Sequence, residues 1–119
     1  MKPNSSVLIV DEDYEKLHHT AIELEAKNFH LIVSDNVFQL VDFLSGRELP
    51  YLVFLSDTIQ NRDFLVNTFK KSHIKHKIIP IHQKDYMSAG LSIRRPYGAE
   101  DFLRIIYNEL SITEDIQHD

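Results

Sequence analysis

The run Pro50-Tyr-Leu-Val-Phe-Leu-Ser56-Asp57 limits the possible folds of this chain more than any other stretch. From Tyr51 to Leu55 every residue is apolar or aromatic, and the run stops at a hydroxyl and a carboxylate. A short apolar run without alternation is a strand covered on both faces, which is the signature of a parallel sheet with helices on each side. In such sheets ligands and chemistry gather at the carboxyl edge of the strands. That edge carries Ser56 and then Asp57, and strand alternation turns the two to opposite sides.

The rest of the chain supplies the partners such a strand needs. Val7-Leu-Ile-Val10 is a second short apolar run and ends at Asp11-Glu12-Asp13. Asp13 is placed to cap a helix whose apolar residues Leu17, Ala21 and Leu24 recur at helical spacing. Phe29 to Val33 reads as a strand. Asp35 or Asn36 then caps a helix with Val37, Leu40, Val41 and Leu44 on one face, closed by Gly46. A third helix is expected from about Asn61 to Lys71, with Phe64, Leu65, Thr68 and Phe69 inward. Lys77-Ile-Ile-Pro-Ile81 reads as a strand despite Pro80, which has no N–H for a ladder. Between His82 and Arg95 the pattern weakens to one helical turn over Asp85–Ala89 and a brief strand at Leu91–Ile93. A last helix is expected from Ala99 to about Ile112, and 113–119 is expected to fray as a polar tail. Residues 1–112 thus read as one domain, an α/β doubly wound sheet of five parallel strands in the order 2-1-3-4-5.

Composition narrows the functional classes. The hydrophobic fraction of 43% suffices for a core, whereas a net charge of −5 disfavours a nucleic-acid partner, which needs a basic face. There is no cysteine, which removes disulfides and thiolate metal sites. The polar start and the lack of a long apolar run lead to the expectation of a cytoplasmic domain without a membrane span. Only three glycines are present, Gly46, Gly90 and Gly98, and no phosphate-cradling loop. A small flavodoxin-like enzyme or ligand-binding protein is therefore the weaker alternative, and no enzymatic activity is expected.

With these residues in view, the chain from Val7 to about Leu110 resembles the receiver domain of two-component response regulators. Asp11 and Glu12 look like the acidic pair after the family's first strand. Pro50 to Ser56 looks like its third strand, with Ser56 at the phosphoacceptor position. Arg95-Pro96-Tyr97 looks like the lysine–proline–aromatic turn, in which the peptide before proline is often cis. His82 falls at the family's threonine or serine switch position. The resemblance implies a flavodoxin-like fold and a place in a phosphorelay, with a histidine kinase or another regulator as partner and a homodimer as a further option.

Three of the positions depart from the family: Ser56 replaces an aspartate, His82 a small hydroxyl and Arg95 a lysine. A serine has no charge to help hold Mg²⁺ and must lose a proton to attack. The expected fourth helix is shortened or missing, because the His82–Arg95 segment is shorter than the family's by about nine residues, roughly two and a half helical turns. The sequence therefore predicts a pseudo-receiver that works by protein interaction, without a resident cofactor. Arg95 is expected to pair with Asp11 or Glu12. The alternative is a working receiver that uses Asp57 as acceptor, with Mg²⁺ at Asp11 and Glu12. His82 is expected at a solvated strand end.

Overall fold

The computed structural model describes residues 6–27, 30–45, 50, 52–71, 77–83 and 90–118, with side chains as far as residue 109. Its elements run β1 (Ser6–Val10), α1 (Tyr14–Glu25), β2 (His30–Ser34), α2 (Val37–Leu44), β3 (Leu52–Ser56), α3 (Arg62–Lys70), β4 (Lys77–His82), β5 (Ile93–Arg94) and α4 (Ala99–His118). All strand pairs are parallel and the order is β2-β1-β3-β4-β5. This is the doubly wound, flavodoxin-like arrangement expected from the alternating runs.

β3 is central and buried at all five positions, so its side chains feed two cores. On one face Leu52 and Phe54 pack with Leu17, Leu24, Phe102 and Ile106 beneath α1 and α4. On the other, Val53 and Leu55 pack with Leu40, Leu44, Leu65 and Phe69 beneath α2 and α3. Full burial of such side chains contributes about 1.5–3 kcal/mol each, so the two-sided β3 holds the layers together.

The caps act where the sequence places them. Asp13 accepts from the Lys16 N–H and Asn36, rather than Asp35, from the Gln39 N–H. Pro80 sits in the ladder opposite Leu55. Ile81 O accepts from Asp57 N on the β3 side and His82 O from Arg95 N on the β5 side. Pro80 is in phase with His82, so its donor-less nitrogen faces β5, whose ladder begins only at Ile81. No sheet hydrogen bond is lost there.

Several expectations are corrected. Phe64 is 45% exposed and not part of the inner stripe of α3. Leu65 and Phe69, four residues apart, take the sheet-facing side, and Phe64 is turned one helical step away onto Phe38 (ring centroids 5.1 Å apart, edge to face). β5 covers Ile93–Arg94, beginning at the last residue of the expected Leu91–Ile93 strand. The backbone of α4 runs to His118, past the boundary expected near Ile112. Among the described residues no helix separates β4 from β5. The expected turn at Asp85–Ala89 and the helix-closing Gly46 lie outside the described residues.

Candidate functional site at the strand ends

The β1–β2, β3–β4 and β4–β5 ladders are each prolonged by one residue, and the site is built around those residues. Asp11 N donates to Ser34 O (3.1 Å), Asp57 N to Ile81 O (3.1 Å) and Arg95 N to His82 O (3.0 Å). The side chains that follow are therefore fixed by sheet hydrogen bonds and not by free loops.

Asp11 is fully buried, and a buried carboxylate must be compensated. Its Oδ1 accepts from Arg95 Nη2 (2.5 Å) and from Asp13 N (3.2 Å). Its Oδ2 accepts from the Tyr97 hydroxyl (2.5 Å). Tyr97 is only 2% exposed, its ring edge-on to Phe102, which in turn packs edge-on to Phe54. Burial, and then the bond to Asp11, push the Tyr97 hydroxyl above the ordinary phenol range, so it stays a donor. The Arg95–Pro96 peptide is cis.

Glu12 is equally engaged. Its Oε1 accepts from Ser56 Oγ (2.5 Å) and Arg95 Nη2 (3.2 Å), and its Oε2 from Thr58 Oγ1 (2.5 Å). Burial alone would raise its pKa, but the hydroxyls of Ser56 and Thr58 outweigh it and lower the carboxyl from 4.5 to about 2. Ser56 Oγ also accepts from Arg95 Nη2 (3.1 Å) and Thr58 N (3.3 Å). Burial works against the Arg95 cation, yet the bond it donates to Asp11 and the charges of Asp11 and Glu12 outweigh it and raise its pKa. Ser56 is thus buried and its proton is committed to Glu12. A carboxylate with a pKa near 2 is a poor general base, so nothing here activates the serine as a nucleophile.

Thr58 was missed in the sequence. It sits in the turn after β3, where its N–H donates to Ser56 Oγ (3.3 Å), and no periodicity in the sequence pointed to it.

Asp57 turns the other way. Its Oδ2 lies 2.8 Å from Nδ1 of His82, and since a carboxylate only accepts, the imidazole donates. His82 is 7% exposed, which corrects the expectation of a solvated strand end. Asp57 Oδ1 is buried without a hydrogen-bond partner among the described residues. The structure therefore joins Asp11, Glu12, Ser56, Arg95 and Tyr97 in one network and places Asp57 with His82 in a second.

The residues do not suit Mg²⁺ as they stand. All four oxygens of Asp11 and Glu12 already accept hydrogen bonds, and the guanidinium covers the oxygens that face Ser56. Among the described residues no group of three or more His, Cys, Asp or Glu is arranged to hold a metal. Nor, among them, is any helix long and apolar enough to cross a membrane.

No protein-family model matches the sequence, and no curated protein matches it. Solved structures do. A response regulator receiver domain protein (CheY-like) from Methanospirillum hungatei JF-1 is 18% identical with a TM-score of 0.65, over 92% of this chain and 97% of that one. The bacteriophytochrome response regulator RtBRR is 15% identical with a TM-score of 0.61, over 87% of this chain and 76% of that one. At these identities the likeness is one of fold: the chain has the fold of CheY-like receiver domains.

Proposed function

We propose that this chain is a receiver-like module of a two-component or phosphorelay pathway that acts without being phosphorylated. Its output is binding to a signalling protein, a histidine kinase or another regulator. One observation carries the reading: Arg95 Nη2 sits on Asp11 Oδ1, Glu12 Oε1 and Ser56 Oγ at once. A phosphoryl group would need a carboxylate acceptor and a cation at this place. Here the acceptor position is a serine and the cation's place is held by the protein itself. Likeness of fold to two response-regulator proteins supports the pathway assignment.

The test is an amide-resolved NMR titration with Mg²⁺ and then beryllofluoride, which mimics an aspartyl phosphate. The expected result is a spectrum that does not move at residues 11, 12, 56 and 57. Saturable shifts centred on Asp57 would sink the proposal and establish the working-receiver alternative.

A further inference from the structure

We propose that the cavity between the start of α2 and the β3–α3 loop is a docking site for an arginine side chain presented by a partner protein. This rests on the reading of the chain as a protein-binding module, and it names the face and the chemistry of that binding. The cavity measures about 520 Å³. Val37 and Phe38 line it from α2, Ile59, Gln60 and Asn61 from the loop, and Glu12 from the end of β1.

The fold leaves acceptors and charge unspent around this cavity. Asp35 lines it too, and among the described residues its carboxylate has no hydrogen-bond or ion-pair partner. Asn61 holds the N-cap position of α3, yet its side chain caps nothing, although capping is the usual work of an asparagine there. The Gln60 amide is likewise uncommitted among the described residues. Glu12 Oε2 accepts one bond, from Thr58, and keeps a second lone pair, and the side chain is 43% exposed. With its pKa held at about 2, this carboxyl is ionised near neutral pH. Among the described residues no cation lines the cavity. Arg62 is turned to Asp63 (3.8 Å), and Arg95 meets Glu12 at Oε1 and is committed to Asp11.

These features select the occupant. Two carboxylates without a lining cation repel an anion, and a wholly apolar ligand would cover them unpaired. A guanidinium brings five N–H donors and a delocalised plane that stacks on aromatic rings. The ring it would meet is Phe38, which is half-exposed and lies edge to face against the exposed Phe64 (centroids 5.1 Å apart). Two exposed phenylalanines in mutual contact are apolar surface that the fold itself does not cover, and here they adjoin charge. The methylene stem of an arginine covers such surface while its head reaches the acids. Lysine is a hydrated point charge with three donors and no plane, so it suits the cavity less well.

The experiment titrates the wild-type chain with acetyl-Gly-Arg-Gly-amide and follows the amide shifts by NMR. The lysine and citrulline versions of the peptide and free arginine are titrated in parallel. The arginine peptide should move residues 35, 36, 38, 60 and 61 saturably. The lysine peptide should bind more weakly, and the citrulline peptide, which keeps the shape without the charge, weaker by about tenfold or more. Free arginine carries a carboxylate that the acids repel, so it too should bind more weakly than the peptide. Asp35→Asn should weaken the arginine peptide roughly fivefold and Phe38→Ala roughly threefold. Both positions are exposed, so the fold should tolerate either change.

The absence of saturable shifts would overturn the proposal, as would equal binding of the citrulline peptide or two variants that bind as the wild type does. Free arginine that binds as tightly as the peptide would overturn it too, because the site would then serve a free small molecule and not a partner protein. The beryllofluoride test is independent. If the wild type ignores both beryllofluoride and the peptide, only the docking site falls. If beryllofluoride shifts Asp57 while the peptide still binds, only the reading without phosphorylation falls.

Discussion

Two carboxylates leave neighbouring strands at the same edge of the sheet, and the protein treats them differently. Asp11, beyond β1, is fully buried, both its oxygens are bonded, and it is neutralised by a guanidinium whose pKa is raised further. Asp57, beyond β3, keeps 24% of its side-chain surface, and its bonded oxygen faces an imidazole. Arginine is a cation at every accessible pH, whereas histidine is one only conditionally. The Asp11 site is therefore closed by a fixed cation in full burial, whereas Asp57 leans on an imidazole and on solvent. A strand end can thus be closed by a guanidinium or by an imidazole, and the guanidinium stands at the more deeply buried carboxylate.

Arg95→Met should be the most damaging change. It strips the cation from a fully buried aspartate, and loss of one partner of a buried pair costs about 3–5 kcal/mol. Urea unfolding should show this loss, and the Asp11→Asn change on top should return part of it. A cost under about 1 kcal/mol, the range of a solvated surface pair, would mean that Asp11 reaches water and the closure is not structural.

Tyr97→Phe should come next. It keeps the ring against Phe102 and removes only the hydroxyl on Asp11. A hydrogen bond to a charged group contributes about 1.5–3 kcal/mol, and the loss should appear in the same unfolding series. His82→Gln should cost less, about 1 kcal/mol, because Asp57 is more exposed than Asp11 and water can replace part of what is lost. If His82→Gln is the more damaging of the two, the ranking of the two carboxylate sites is reversed.

The comparison also shows what could be read from sequence. Strand-length apolar runs and the capping signals, Asp13 and the pair Asp35 or Asn36, carried the fold, because β3 needs cover on both faces and little else supplies it. The strand ends put Asp11, Glu12, Ser56 and Arg95 within reach of one another for the same reason. Side-chain directions were harder. A helical stripe tolerates an error of one residue, which is how Phe64 was drawn inward while Leu65 and Phe69 faced the sheet. His82 looked solvated because nothing in sequence says that a carboxylate from the next strand lies 2.8 Å away. Tyr97 was legible as part of a turn. Its bond to Asp11 was not, since that depends on the final packing of the ring against Phe102.

The smallest expected effect belongs to Glu12, whose side chain is 43% exposed and therefore screened by water. Its carboxyl is held at about 2 in the fold against 4.5 as its ordinary value. A folded pKa below the unfolded one means that the unfolded chain binds the proton first. The stabilisation is then fully present above pH 4.5 and is lost as pH falls from there towards about 2. Glu12→Gln removes that titration, so the wild type should lose more stability than the variant between the two pH values. The distinction matters for the closure of the site. Ser56 and Thr58 are what lower Glu12, so Thr58→Val should flatten the wild-type pH dependence while leaving the bond from Arg95 to Asp11 in place. If Thr58→Val and the wild type lose stability in parallel on acidification, the Thr58 hydroxyl does not hold Glu12, and its other partners, Ser56 and Arg95, keep it charged.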